Sequence, residues 1–165
     1  MKPETPAELA ADLMFLLNQA TYALATDMSA GLTHLGVSTR DYCVLLTAQT
    51  GELTQKELGD LCSLDKTTMV VTIDGLERAG LAVRQPSSTD RRARIVQVTD
   101  KGRDLVKEAR EIVDGIYAGI LDELPARERS VFVDSLVRLV GAGGRLAEPS
   151  HVGPAIRRRG TRSVN

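Results

Sequence analysis

Three arginines, Arg91, Arg92 and Arg94, directly follow a run of turn formers, Gln85-Pro86-Ser87-Ser88-Thr89-Asp90. On either side lie short apolar runs, Leu81 and Val83 before and Ile95, Val96 and Val98 after, which read as two strands of a hairpin. A hairpin tip with three guanidinium groups is no core element; its chemistry is contact with an anionic partner. Strand alternation sets Arg92 and Arg94 on one face and Arg91 on the other. A carboxylate is repelled by phosphates, so Asp90 is better suited to bracing the tip or a neighbouring arginine.

The element that must position this hairpin precedes it. Asp65 is an N-cap candidate for a helix opening with Lys66, Thr67 and Thr68. Met69, Ile73, Leu76 and Gly80 mark one buried face, while Thr67, Val71, Asp74 and Arg78 fall on the opposite, open face. Gly80 suits the left-handed position just past a helix C-terminus. Upstream, Thr54 and Glu57 form a capping box for a shorter helix with Leu58 and Leu61 facing inward, and Cys62-Ser63-Leu64 is the turn between the two. A helix presented to a major groove, with a basic hairpin against flanking phosphates, is a winged helix-turn-helix.

These residues carry a resemblance. The run Thr54-Gln55-Lys56-Glu57-Leu58, Leu64-Asp65-Lys66-Thr67-Thr68-Met69, Leu76-Glu77-Arg78-Ala79-Gly80-Leu81, Asp90-Arg91-Arg92-Ala93-Arg94 and Val98-Thr99-Asp100-Lys101-Gly102 resembles the MarR family of bacterial transcription regulators, over roughly residues 9 to 145. The Asp-x-Arg wing signature at Asp90 and Arg92 is its most specific part. The resemblance implies a homodimer on a pseudo-palindromic double-stranded DNA operator, often released by a small aromatic or phenolic effector or by an oxidant. It places Arg92 in or beside the minor groove. It also implies an effector site between the dimer helices and the DNA-binding lobe, near Phe15, Tyr22, His34 or Tyr42. One departure stands out: many relatives have arginine at Val71 and a basic or polar residue at Gly75. Valine offers only methyl contact to thymine, so more of the specificity falls to the wing and to DNA shape.

Composition bounds this reading. A chain of 165 residues with 42% hydrophobic residues is enough for one domain with a core. No apolar run reaches the ~20 residues of a membrane span, and the MKPETPAEL start lacks a signal-peptide pattern, so the expected location is the cytoplasm. A net charge of −1 gives no sign of a nucleic-acid partner, but its distribution does. Between residues 84 and 103, Arg84, Arg91, Arg92, Arg94, Lys101 and Arg103 face only Asp90 and Asp100.

Cys43 and Cys62 sit in apolar runs and read as buried thiols used as small hydrophobes. Some relatives sense peroxide through a cysteine in the first helix, and no cysteine precedes position 43 here. His34 and His151 have no second ligand at metal spacing, so neither a metal nor a cofactor is expected. No glycine-rich phosphate loop, nucleophile elbow or His/Cys/carboxylate cluster marks an enzyme.

The remaining helices frame the lobe. Residues 7–32 carry a stripe of Leu9, Leu13, Leu16, Ala20 and Ala23 or Leu24, with Phe15, Leu17 and Tyr22 off it. Such a helix buries two faces, one against a partner subunit. Residues 31–37 form a turn. Ser38, with Asp41 three residues on, caps a helix that buries Tyr42 or Cys43, Leu45 and Leu46. Thr99 and Asp100 open a long helix with a stripe of Leu105, Ala109, Ile112, Ile116 and Ile120, widened by Val106 and Val113. Pro125 opens another, with Val131, Phe132, Val133, Leu136, Val137, Leu139 and Val140, too apolar to face solvent and assigned to a dimer core.

The expected fold is therefore mainly α with a small β-hairpin wing. A dimerisation helix spans residues 1–36 and the DNA-binding lobe 37–99. Dimerisation helices span 100–148, and a basic, disordered tail 149–165. The expected DNA contacts are Thr54, Lys66, Thr67, Thr68, Val71, Arg78, Arg84, Arg91, Arg92 and Arg94, with Thr67, Thr68 and Val71 at base edges. The competing reading is an architectural or protein-binding winged helix with little sequence specificity.

Overall fold

Most helices in this chain begin at a residue that supplies its own cap. In the computed structural model, which describes residues 6–88, 93–141, 144 and 146, Asp12 opens α1 (Leu13–Leu32) by accepting from the Phe15 amide at 2.7 Å. Ser38 with Asp41 opens α2 (Thr39–Ala48), and Thr54 with Glu57 opens α3 (Gln55–Leu61), each as a reciprocal capping box. Asp65 opens α4 (Lys66–Arg78) by accepting from the amides of Thr67 and Thr68 at 2.9 and 3.0 Å. These caps satisfy amides that the first helical turn leaves without partners.

The strands β1 (Ala82–Pro86) and β2 (Arg94–Val98) pair antiparallel, with Ala82 opposite Val98 and Pro86 opposite Arg94. Pro86 ends β1 rather than opening the turn, a strand-terminal place where its missing donor does least harm. Ile95 and Val96 are both buried, against simple alternation. The reason is a third run on the other edge of β2: the Val96 amide donates to Leu53 O at 3.1 Å, and Thr54 bridges Ile95. Gln97, on the same face as Ile95, stays exposed, so the departure from alternation is confined to Ile95 beside that edge.

α5 (Asp100–Asp122) and α6 (Ala126–Val140) are the last elements among the described residues. The described residues fall into two compact units, divided between Gly119 and Ile120. In the first, Leu32, Val44, Leu45, Leu58, Met69, Ile73, Leu76, Val96, Val106, Ala109 and Val113 build one core. Each fully buried aliphatic side chain there contributes roughly 1.5–3 kcal/mol. Gly102 is required by this packing: a Cβ there would stand 2.1 Å from Leu81 O and 2.7 Å from Val98 Cγ1.

Several expectations need correction. α1 starts at Leu13, not near Ala7, because residues 6–11 close turns on Pro6 O. Of its expected stripe, Leu9, Leu13 and Leu16 are exposed, and only Met28 and Leu32 are buried. In α2 the buried residues are Tyr42, Val44, Leu45 and Ala48; Leu46 is half-buried. Cys43 is exposed and Cys62 half-buried, so the reading of two buried thiols does not hold. α3 is too short to bury a wide face: Leu58 and Gly59 turn inward while Leu61 stays 63% exposed. In α5 the buried line is Gly102, Val106, Ala109 and Val113. Leu105, Ile112 and Ile116 flank it, and Ile120 is exposed.

In the second unit, Arg129 ties the inter-helix turn by pairing with Asp122 at 2.5 Å and donating to Leu124 O at 3.1 Å. Pro125 stands at the N-cap of α6. No residue of α6 is buried, and Val131, Phe132, Val133, Val137, Leu139 and Val140 are all exposed.

Candidate nucleic-acid interface

The helix-turn-helix is made by two backbone closures. At the end of α3, Ser63 takes a left-handed φ of 54° and the Leu64 amide donates back to Gly59 O at 2.9 Å. At the end of α4, Gly80 takes φ 71° and the Leu81 amide donates to Leu76 O at 2.9 Å. The second is the six-to-one closure for which glycine is favoured, sealed by the burial of Leu76 and Leu81. Together they fix where α4 starts and where the wing leaves it.

α4 then divides cleanly. Met69, Thr72, Ile73 and Leu76 are buried; Lys66, Thr67, Val71, Asp74 and Arg78 are exposed. Thr68 is half-buried and donates its hydroxyl to Asp65 Oδ2 at 2.5 Å, and Thr72 donates its own to Thr68 O at 2.8 Å. The hydrogen bonds from Thr68 hold the Asp65 carboxyl below the usual carboxylate range. Glu57 is lowered in the same way by the Thr54 amide and hydroxyl. Thr54 spends its hydroxyl on Glu57 Oε2 at 2.7 Å, and is half-buried against β2.

Arg84 is also committed within the chain. From β1 it reaches back to α4, pairing with Asp74 at 2.7 Å and with Glu77, while Gln55 of α3 accepts from its Nε at 3.4 Å. Its backbone amide donates to Glu77 Oε1 at 2.7 Å. Burial alone would lower its pKa; the hydrogen bond to Asp74 and the charge of Glu77 outweigh that and raise it. The guanidinium therefore joins β1, α4 and α3. Sequence reading missed this brace because its partners lie across the Gly80 turn and follow no period.

The start of α5 grips the other end of α4. Thr99 Oγ1 donates to Gly80 O at 2.8 Å and Lys101 Nζ to Ala79 O at 2.8 Å. Thr99 Oγ1 also caps α5, accepting from the Gly102 amide at 3.1 Å. A cation on the last carbonyls of α4 also complements its dipole.

At the wing, Ser88 donates to Glu52 Oε2 at 2.7 Å, and the Ser87 amide to Ala93 O at 3.0 Å. Arg94 is exposed at the first residue of β2. Asp90, Arg91 and Arg92 lie outside the described residues, as does the basic tail. Among the described residues, exposed Lys56, Lys66, Arg78 and Arg94 supply cationic groups on α3, α4 and β2.

The four effector-site candidates do not share one environment. Tyr22 is 75% exposed and lines a shallow groove of about 470 Å³ along α1 with Ala25, Thr26 and Ser29. Phe15 is half-buried, and His34 is exposed in the turn Thr33–Leu35. Tyr42 is buried in the lobe, where burial first and then Tyr117 push its phenol up. Tyr117 in turn donates to Met28 Sδ at 3.9 Å. No helix among the described residues is long and apolar enough to cross a membrane.

Comparison with known proteins agrees with this geometry. The MarR family model matches residues 35–93. CouR from Rhodococcus jostii RHA1, bound to p-coumaroyl-CoA, is 26% identical with a TM-score of 0.75, over 90% of this chain and 100% of that one. The transcriptional repressor CouR bound to a 23-mer DNA duplex is 25% identical with a TM-score of 0.73, over 86% and 100%. The MarR family protein Rv2887 of Mycobacterium tuberculosis, in complex with p-aminosalicylic acid, is 28% identical with a TM-score of 0.66, over 78% and 98%. With its capped helix-turn-helix, antiparallel wing and flanking helices, the chain is similar in fold to these regulators, and its residues 35–93 match the MarR family model.

Proposed function

We propose that this protein is a sequence-specific DNA-binding transcription regulator, a homodimeric repressor released from a pseudo-palindromic operator by a small aromatic or phenolic effector. The observation that carries the proposal is the division of α4 into a face sunk in the core and an open face, Thr67, Val71 and Arg78, braced to a basic wing. A helix so held can enter a major groove while the wing lies over the flanking backbone. In this reading Thr67 and Val71 meet base edges. Lys66, Arg78, Arg91 and Arg94 meet phosphates, and Arg92 reaches the minor groove with Asp90 bracing the wing. Thr54, Thr68 and Arg84, whose side-chain hydrogen bonds are already committed, position the surface.

The exposed apolar faces of α1 and α6 support a dimer. Residues 1–36 and 100–148 then serve dimerisation, residues 37–99 read DNA, and the protein works in the cytoplasm. CouR in complex with DNA and with p-coumaroyl-CoA, and Rv2887 in complex with p-aminosalicylic acid, support both partners by likeness. These relatives are regulators rather than enzymes, and we assign no catalytic role.

The test is fluorescence anisotropy against the DNA upstream of the protein's own gene and against a scrambled duplex, across a salt series. The proposal expects a preference of ~10³-fold or more for the upstream DNA. Equal binding with equally steep salt slopes would favour the architectural reading, in which phosphate contacts act alone.

A further inference from the structure

The middle of α4 offers DNA methyl groups where hydrogen-bond donors would be expected. Val71 is 61% exposed at the centre of the open face. Three of its polar neighbours are occupied, Asp74 by Arg84, Thr68 by Asp65 and Thr72 by the Thr68 carbonyl, while Thr67, one turn earlier on the open face, is exposed. One turn further along the same face stands Gly75. A Cβ there would meet nothing within 4 Å, and its φ is not positive, so neither internal packing nor backbone conformation requires glycine. Glycine within a helix lowers its stability. The feature that Gly75 does supply is an open notch beside Val71, where another surface can approach the helix backbone.

We infer that Val71 and Gly75 form an apolar notch for the C5-methyl group of a pyrimidine in the major groove. Thymine carries that methyl group, and 5-methylcytosine presents the same one. The inference rests on the DNA-binding reading above and specifies how its central contact discriminates. In the major groove the thymine methyl is the apolar mark among donors and acceptors. The aliphatic Val71 side chain gains from covering it and gains nothing from a guanine edge. Lys66 and Arg78, at the two ends of the helix, remain to meet phosphates.

The experiment starts by selecting preferred sequences from a random duplex pool with the full-length protein. Each thymine of the enriched half-site is then replaced by uracil, and separately each T·A pair by C·G and by 5-methylcytosine·G. One thymine per half-site is expected to lose roughly four-fold in affinity on replacement by uracil, the worth of one buried methyl group. At that position 5-methylcytosine should bind better than cytosine. Val71→Ala, at an exposed position, should fold normally and bind the thymine and uracil duplexes alike. Gly75→Ala should keep or raise the melting temperature while weakening the thymine duplex. Uracil substitutions that affect wild type and Val71→Ala equally, or affect neither, would overturn the notch while leaving an operator-binding protein. Failure of any sequence to enrich would overturn the DNA-binding reading, and the notch with it.

Discussion

The DNA-binding lobe and the flanking helices are both apolar in sequence, yet they use that character in opposite ways. Residues 37–99 bury Tyr42, Val44, Leu45, Leu58, Met69, Ile73, Leu76 and Val96 within the one chain. α6 buries nothing, and the first half of α1 leaves Leu13, Met14 and Leu16 exposed. The lobe is thus complete as folded, whereas α6 and the first half of α1 keep their apolar side chains exposed. Hydrophobic residues at helical spacing show that a face will be buried. They do not show whether the same chain buries it.

The largest effect expected from this contrast is on the helices. Replacing Val133 and Val137 together by glutamate should give a monomer in analytical ultracentrifugation, with the lobe still folded by circular dichroism. Operator affinity should fall by ~10²-fold or more, because two half-sites are no longer engaged at once. A dimer of unchanged affinity would remove α6 from the interface. Gly102→Ala attacks the lobe instead. A methyl group at 2.1 Å from the Leu81 carbonyl forces α5 away from the wing, for about 1–3 kcal/mol of stability in urea unfolding. Unchanged stability would show that α5 can shift without cost.

Arg84→Ala should lower stability by about 1 kcal/mol, since Asp74 and Glu77 are partly exposed and their attraction is screened. Operator binding should weaken further as the wing loosens from α4. Arg84→Lys should restore only part of it, because lysine lacks the fork that reaches two carboxylates. If Arg84 instead contacts phosphate, its loss should flatten the salt dependence by about one unit and leave stability alone.

The smallest effect is a pH dependence. Asp65 and Glu57 have lowered pKa values in the folded chain, so their contribution to stability is fully present above the unfolded carboxylate range. It is lost as pH falls through the lowered folded values. Asp65→Asn keeps a good cap without the titration, and its unfolding midpoint should fall less between pH 6 and pH 3 than that of wild type. Equal slopes would deny Asp65 that role.

What was legible in the sequence follows the range of the interactions. Caps are local, so Ser38, Thr54, Asp65 and Thr99 announced the starts of α2, α3, α4 and α5, and Gly80 announced the end of α4. The buried face of α4 was legible because thirteen residues are enough to show a period. α3, with seven, was not, and Leu61 went to the wrong side. Ile95 broke the alternation of β2 because its cover comes from Thr54, far back in the chain. Arg84 looked like a free cation for the same reason: its carboxylates lie on another element.

In the proposed function two lobes, one from each protomer, read the two halves of a symmetric site. Hydroxyl-radical footprinting on the upstream DNA tests it most directly, with stoichiometry measured by sedimentation. Two protomers per site are expected, with two related protected blocks whose centres lie about one helical turn apart or a multiple of it. Cleavage should also be reduced where each wing crosses the flanking minor groove. A single unsymmetric block, or uniform protection that lengthens with added protein, would contradict it.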